Sequence, residues 1–128
     1  MVLQVELVSP ERILFSGDAT SVTARTADGD IAFLTGHAPF IGLLNIGVVT
    51  IDLTDGTKLK VAVHGGFVEV MDDRVTILSD VAELADQIDR ARAERALAAV
   101  QGATGSGDAE ADAAARRART RLDLVGGS

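Results

Sequence analysis

The chain has 128 residues, 47% of them apolar and 24% charged, which is the composition of a globular protein with one domain or two small ones. Twelve basic residues against nineteen acidic ones give a formal net charge of −7, which argues against nucleic acid as a partner. The chain has no cysteine, so disulfides, thiolate metal sites and thiol catalysis are excluded. Because no signal-peptide pattern and no 18-residue uncharged apolar segment is present, we expect a soluble intracellular protein.

The first 80 residues have the pattern of short strands, with apolar residues at every second position and frequent turn signals. Asp55-Gly56 predicts a tight hairpin turn, because Asp-Gly tolerates positive φ angles. Gly65-Gly66 is interpreted as a turn between two strands, the second of them at residues 67–71. Eight or more short strands without an intervening helix predict a β-sandwich or flattened barrel. The alternating apolar sets are Leu3, Val5 and Leu7, then Val49, Ile51 and Leu53, then Leu59, Val61 and Val63.

Downstream of residue 80 the composition changes to alanine, arginine and acidic residues, which favours helix. A first helix is expected to begin at Ala82 or Asp86 and to end at Val100 or Gln101. The glycine-rich residues 102–107 cannot hold a helix and predict a flexible connector.

A second helix is expected after Asp108, which is a good N-cap, and it should end near Val125. Its small apolar residues recur on one helical face, at Ala111, Ala115, Ala118, Leu122 and Val125. The sequence therefore predicts two domains. A mainly β N-terminal sandwich or flattened barrel occupies residues 1–81, and a C-terminal antiparallel two-helix hairpin occupies residues 82–128.

Two histidines in the β part are candidates for chemistry. His37 lies in Gly36-His37-Ala38-Pro39, and His64 directly precedes the double glycine. Both segments are typical of structural turns, and the double glycine lacks the lysine of a phosphate-binding loop. The alternative is a small β-barrel metal-dependent enzyme that uses His37 and His64 with nearby carboxylates, which would require both imidazoles within about 2 Å of one metal ion.

The first helix carries a basic face, because Ile88, Arg92 and Arg95 are spaced at i, i+4 and i+7 with Asp89 at the edge. On the second helix Arg117 and Arg121 are one turn apart. If the hairpin folds, these guanidinium groups can converge on a polyphosphate, with Asp89 accepting from an adenine amino group or a ribose hydroxyl.

The alternative for this basic face is a solvated helix surface with local ion pairs. Asp86 and Arg90, and Arg119 and Asp123, are both spaced at i, i+4, the separation at which opposite charges meet on a helix.

Several of these motifs together resemble the ε subunit of F-type ATP synthase. The resemblance spans Val5 to Leu122, nearly the whole chain. The motifs that carry it are Gly36-His37-Ala38-Pro39, then Gly65-Gly66-Phe67-Val68-Glu69-Val70, then Val75-Thr76-Ile77-Leu78 with Ala82-Glu83, all ahead of the Ala/Arg-rich hairpin.

The resemblance implies a central-stalk rotor subunit that is not a catalyst, with no catalytic and no metal-binding residues. Such a subunit couples ion flow through the c-ring to ATP synthesis in the catalytic head. Its sandwich packs on the γ subunit and the c-ring, at the cytoplasmic face of the plasma membrane, as a peripheral part of the complex. Its hairpin either folds on the sandwich or extends to the α/β head, where it restrains ATP hydrolysis.

The resemblance also implies an ATP-binding motif, with no cofactor required and ATP as a regulatory ligand. Ile88, Asp89, Arg92 and Ala93 match this motif in the family members that bind ATP. Glu83, Arg117 and Arg121 match the family's remaining positions, whereas a further arginine two turns beyond Arg92 is Ala99 here. A free-standing ATP-sensing protein without a rotary partner remains a third interpretation.

Overall fold

Three strands of 14 residues each form the frame of the N-terminal part. The computed structural model describes residues 2–26, 28–103 and 107–125. Within these residues it has seven strands, which are fewer and longer than the eight or more expected. They are β1 (Leu3–Val8), β2 (Ile13–Thr26), β3 (Gly29–Leu34), β4 (Phe40–Leu53), β5 (Lys58–Met71), β6 (Arg74–Leu78) and β7 (Ala82–Leu84).

The strands form one sheet in the order β1-β6-β5-β4-β2-β3, and a further pairing of β1 with β2 closes it. All pairings are antiparallel except that of β1 with β6, and β7 adds to β5. The closed sheet confirms the predicted sandwich or flattened barrel. Closure leaves few unpaired strand edges. Its core is filled by fully buried side chains from most strands, among them Leu3, Leu7, Val22, Phe33, Ile51, Val61, Val70 and Ile77.

The hairpin turn predicted at Asp55-Gly56 is present between β4 and β5. Gly56 has a φ of +89°, in the region that favours glycine. The Leu53 backbone N–H donates to the Thr57 carbonyl over 2.8 Å, and the Asp55 carboxylate accepts from the Thr57 backbone N–H over 2.9 Å. This turn fixes the register of β4 against β5.

Gly65-Gly66 is not the predicted turn between strands, because β5 continues through both glycines. Their φ angles are +97° and +131°, and β4 pairs with β5 on either side of them, Leu44 with Gly66 and Ile46 with His64. The glycines bend a continuous strand instead of ending it. At this bend the face of β5 that contributes to the barrel core changes, from the odd positions Val61 and Val63 before the glycines to the even positions Val68 and Val70 after them.

The first helix, α1 (Arg90–Val100), begins later than the expected Ala82 or Asp86. The residues at the expected start instead form β7, whose Glu83 pairs with Ala62 of β5, and then a 3-10 turn at Ala85–Gln87. The sheet thus extends three residues past the domain boundary placed at residue 81. Pairing with an open strand outweighs the modest helix propensity of this segment.

The second helix, α2 (Ala109–Val125), follows the predicted cap. The Asp108 carboxylate accepts from the backbone N–H groups of Glu110 and Ala111, both over 3.1 Å. Three residues of the predicted stripe, Ala111, Ala115 and Ala118, are buried where α2 packs on α1, β4 and β5. A 3-10 turn at Gln101–Ala103 begins the predicted connector, of which residues 104–106 lie outside the described residues. No described helix is long and apolar enough to span a membrane.

Candidate functional site

The hairpin is joined to the sandwich by three side chains that meet at one carboxylate oxygen. Oε1 of Glu83, on β7, accepts from Nε of Arg121 on α2 over 2.6 Å. The same oxygen lies 2.9 Å from Nε2 of His64 on β5. Glu83 and His64 both belong to the sheet, in which β7 and β5 are neighbours. Arg121 is therefore the only one of the three residues that lies in the hairpin. We call this group the Glu83 latch.

His64 is the most buried member of the latch, with 2% of its side chain exposed. Burial lowers the pKa of His64 below its ordinary value of 6.5 and outweighs the opposing hydrogen bond to Glu83; the charges of Arg121 and Arg117 lower it further. The imidazole is therefore neutral at pH 7, and its Nε2 carries the proton that it donates to the carboxylate. Its Nδ1 is then a lone-pair acceptor, and it is buried with no partner among the described residues.

Glu83 is ionised in this setting. Its desolvation is the largest single influence and would raise its pKa, but the hydrogen bonds from Arg121 and His64, with their charges, together outweigh it and lower the pKa. About a quarter of each of the Glu83 and Arg121 side chains is exposed. The ion pair is thus partly shielded from solvent, where a charge-assisted hydrogen bond is stronger than at an open surface.

A cavity of about 240 Å³ opens beside the latch, between β7, α1 and α2. Four of the six residues predicted for an ATP site line it: Glu83, Asp89, Arg92 and Arg121. Of the other lining residues, Ala93 was matched to the family's ATP-binding motif, whereas Gln87 and Ala96 were not named from the sequence. Ala96 lies seven residues after Asp89 and three after Ala93, so the helical period could have identified it.

The N-terminus of α1 lies at this cavity because Asp89 caps the helix. Its Oδ1 accepts from the Arg92 backbone N–H over 3.0 Å. This bond satisfies one of the backbone N–H groups in the first turn that have no partner within the helix. Gln87 stabilises the preceding turn, because its Oε1 accepts from the Leu84 backbone N–H over 2.9 Å. Asp89 therefore has a structural role of its own, and a ligand would share this carboxylate with the helix cap.

The remaining two predicted residues do not line the cavity. Ile88 precedes α1 in extended conformation, with φ −95° and ψ 125°, so the helical face predicted for Ile88, Arg92 and Arg95 does not form. Arg117 donates instead to Glu110 of its own helix over 2.8 Å. Because α1 starts at residue 90, Ile88 is not part of the helix. The helical spacing used to place Ile88 with Arg92 and Arg95 therefore does not apply to it.

His37 lies in a turn, as predicted by the interpretation of its motif as a structural turn. Its backbone N–H donates to the Leu34 carbonyl over 3.1 Å, and its ring makes an edge contact with Phe33, the centroids 5.1 Å apart. Among residues 2–26, 28–103 and 107–125, no three His, Asp or Glu side chains are placed to hold a metal ion. The geometry offers no support for the metal site proposed at His37 and His64.

A row of apolar side chains faces solvent across one end of the barrel. Leu43 pairs with Phe67, Phe67 pairs with Leu78, Leu78 pairs with Val8, and Val8 pairs with Ile13, so one register line crosses five strands. Four of these side chains are 49–60% exposed, and Val8 is half-buried. Exposed apolar residues that adjoin one another in this way mark interaction surfaces more often than isolated ones do. We call these five residues the apolar row.

The sequence matches the family described as "ATP synthase, Delta/Epsilon chain, beta-sandwich domain" over residues 2–85, about two thirds of the chain. The chain belongs to the ATP synthase epsilon-chain family. Relatives named ATP synthase epsilon chain match nearly its whole length. That of Streptomyces griseus is 48% identical over 96% of this chain and 94% of its own, and that of Corynebacterium aurimucosum is 44% identical over 94% and 97%.

Solved structures share the fold of this epsilon-chain family member. A chain of the Euglena gracilis mitochondrial ATP synthase, solved as OSCP/F1/c-ring in rotational state 1, has a TM-score of 0.74 and 22% identity, covering 98% of this chain and 78% of its own. A chain of the Tetrahymena thermophila mitochondrial ATP synthase, solved as central stalk and c-ring, has a TM-score of 0.56 and 18% identity, covering 98% and 94%. The family matches the resemblance inferred from the sequence motifs.

Proposed function

We propose that this epsilon-family chain is a non-catalytic rotor subunit of the central stalk of an ATP synthase, which couples ion flow through the c-ring to ATP synthesis in the head. Its sandwich would dock on the γ subunit and the c-ring, at the cytoplasmic face of the plasma membrane. The observation that carries the proposal is the apolar row. Four large apolar side chains of this row are about half exposed, although the chain as a whole is acidic, with a net charge of −7. Such a surface favours a partner that covers it. The solved relative from Tetrahymena lies in a central stalk and c-ring assembly, which supports this position.

The docking surface is tested by placing a charge in the middle of the apolar row. Phe67→Glu should weaken capture of the γ subunit about tenfold to hundredfold, because central aromatic anchors contribute most of an interface's binding energy. The measurement is a pull-down of γ and c-ring from detergent-solubilised membranes, quantified against the full-length unsubstituted chain.

Thr54→Glu is the matched control, since Thr54 is exposed in the β4–β5 turn at the opposite end of these strands. It should capture γ as the unsubstituted chain does. Equal capture by Phe67→Glu and Thr54→Glu, with both variants folded by circular dichroism, would rule out the apolar row as the docking surface.

We further propose that the hairpin regulates ATP hydrolysis by leaving the sandwich for the α/β head. The area that holds it is small. The buried residues of its helices are four alanines and one threonine, so packing contributes only a few kcal/mol. The Glu83 latch is then a large share of what fixes α2 to the sandwich. Because Arg121 is its only hairpin member, opening the latch breaks one ion pair and leaves Glu83 and His64 together.

ATP is proposed as the ligand that stabilises the folded hairpin through the cavity beside the latch. A nucleotide there would contact β7, α1 and α2 at once through Glu83, Asp89, Arg92 and Arg121. Ligand binding to one conformation shifts the equilibrium towards it. The cavity is smaller than the usual 300–1,000 Å³ of ligand sites, so the base would extend out of it.

Calorimetric titration of the chain with ATP tests this site. Arg92→Ala should weaken ATP binding about tenfold to hundredfold, since it removes one charge-assisted contact to a phosphate. Arg95→Ala is the matched control, because Arg95 is exposed on the same helix and does not line the cavity. A flat titration of the unsubstituted chain at millimolar ATP would refute nucleotide binding while leaving the rotor proposal intact.

A further inference from the structure

A second and larger cleft, of about 480 Å³, lies between α2 and the outer surface of β2 and β4. Its lining includes Arg116, Arg119 and Thr120 of α2, which lie on one face of the helix at i, i+3 and i+4. No residue is shared with the cavity beside the latch. The cleft is therefore separate from the proposed ATP site and faces the sheet surface of Thr23, Thr50 and their neighbours.

The cleft holds unpaired positive charge in a protein that is acidic as a whole. Arg116 and Arg119 form no ion pair within the described ranges, and the pairing predicted between Arg119 and Asp123 is not made. Arg25 contributes a third guanidinium group, whose Nε lies 3.0 Å from Asp30. Three guanidinium groups thus face two carboxylates, those of Asp30 and Asp123, while the net charge of the chain is −7.

Hydroxyl groups without partners line the same cleft. In the part of the chain that the structure describes, the side chains of Thr23, Thr50 and Thr120 make no hydrogen bond. Thr120 is 7% exposed as a whole residue, but its hydroxyl oxygen is not among the buried polar atoms without a partner, so it keeps some contact with solvent. A ligand that accepts hydrogen bonds can therefore take the place of water at these hydroxyl groups.

One wall of the cleft is fixed by a glycine. A Cβ at Gly47 would lie 3.3 Å from Cβ and 3.5 Å from Cδ of Arg25, so the bare backbone of β4 lets the stem of Arg25 lie against it. The ion pair with Asp30 then holds the guanidinium group at the rim. The packing of its stem thus places Arg25 opposite the two arginines of α2, while the exposed ion pair adds only a weak restraint.

We propose that this cleft binds a di- or triphosphate group between α2 and the sandwich. Guanidinium groups match phosphate oxygens in charge and bidentate geometry, and threonine hydroxyl groups complete the donor set. The volume of 480 Å³ is in the usual range of ligand sites and exceeds what one phosphate needs. A bound polyphosphate would join α2 to β2 and β4, on the opposite side of the helix from the Glu83 latch. Inorganic pyrophosphate and the phosphates of a nucleotide share this chemistry.

The test is calorimetric titration of the full-length chain with inorganic pyrophosphate, and separately with ADP. Pyrophosphate should bind, and Arg116→Ala with Arg119→Ala should weaken that binding at least about tenfold. The charge-matched control is Arg90→Ala with Arg95→Ala, two exposed arginines of α1, which should leave binding unchanged. Binding of ADP alone that depends on Arg116 and Arg119 would support the cleft with a nucleotide as its source.

Two results would overturn the proposal. One is the absence of binding of either phosphate compound at millimolar concentration by the unsubstituted chain. The other is binding that Arg92→Ala abolishes and the Arg116, Arg119 double substitution does not, since this would place the anion in the cavity beside the latch. Circular dichroism confirms for each variant that any loss is not a loss of fold.

Discussion

Replacing Glu83 with alanine is expected to release the C-terminal hairpin from the sandwich. The substitution removes the acceptor that Arg121 and His64 share, and it leaves the largely buried Arg121 side chain without a partner. The loss should weaken attachment by about 2 kcal/mol, or roughly thirtyfold in the equilibrium between attached and released hairpin. Since the chain lacks cysteine, two dye labels at Thr54→Cys and Ala99→Cys report the distance between sandwich and hairpin.

Glu94→Ala is the matched control for Glu83→Ala. Glu94 also pairs with an arginine, Arg90 at 3.1 Å, but the pair is local to α1 and more than half exposed on both sides. Such pairs contribute about 0.3–0.5 kcal/mol, so the distance between the labels should not change. If Glu83→Ala and Glu94→Ala gave the same label distance as the unsubstituted chain, the latch would not hold the hairpin.

The same labels should report a dependence on pH. In the attached state the pKa values of His64 and Glu83 are both lowered, and release removes the charges of Arg117 and Arg121 that oppose protonation of His64. The released state therefore binds more protons, so attachment is strongest above pH 6.5 and weakens as pH falls. The released fraction should be larger at pH 5.5 than at pH 7.5, and His64→Gln should remove most of the difference.

Gly66→Ala is expected to destabilise the sandwich more than any other single substitution considered. A Cβ at this position would lie 2.1 Å from the Leu78 carbonyl oxygen and 3.0 Å from the Ser79 Cα, and both are backbone atoms that cannot rotate away. The φ of +131° adds strain for any side chain. Overpacking and strain together should cost about 3–5 kcal/mol of the free energy of unfolding. Thermal unfolding followed by circular dichroism measures the effect.

Gly56→Ala separates the steric part of this effect from the conformational part. Gly56 also has a positive φ, +89°, but nothing lies within 4 Å of a Cβ placed there. Gly56→Ala should lower the free energy of unfolding by about 1 kcal/mol, through backbone strain alone. Equal losses of stability in Gly56→Ala and Gly66→Ala would show that the close approach of β6 to the bent strand is not what requires glycine.

Local pattern predicts much of this fold because local chemistry determines much of it. The Asp55-Gly56 turn and the Asp108 cap depend on groups within a few residues of each other, and both are present. Gly65-Gly66 was interpreted wrongly because positive φ serves a turn and a bend in a continuous strand equally well. What decides between them is the neighbouring strand β6, whose approach is not visible in the local sequence.

The candidate site was predictable only where it follows from one helix or from the family motif. Asp89 and Arg92 were named and line the cavity, but Ile88 was placed on α1 because segment 82–89 has helix-forming residues. The contact that joins the two parts, Glu83 with Arg121, spans 38 positions and depends on β7 pairing with β5. No periodicity within a single element indicates such a contact. The partnership of His64 with Glu83 depends on the same pairing, 19 positions apart.

ATP hydrolysis by the assembled complex tests most directly the claim that the position of the hairpin on the sandwich regulates the enzyme. Complexes depleted of this subunit would be reassembled with the unsubstituted chain, with Glu83→Ala or with Glu94→Ala, and hydrolysis would be measured at equal subunit occupancy. A released hairpin is free to reach the head, so hydrolysis should be lower with Glu83→Ala than with the other two chains. Hydrolysis equal to or above that of the unsubstituted chain, with the labels showing a released hairpin, would contradict the account.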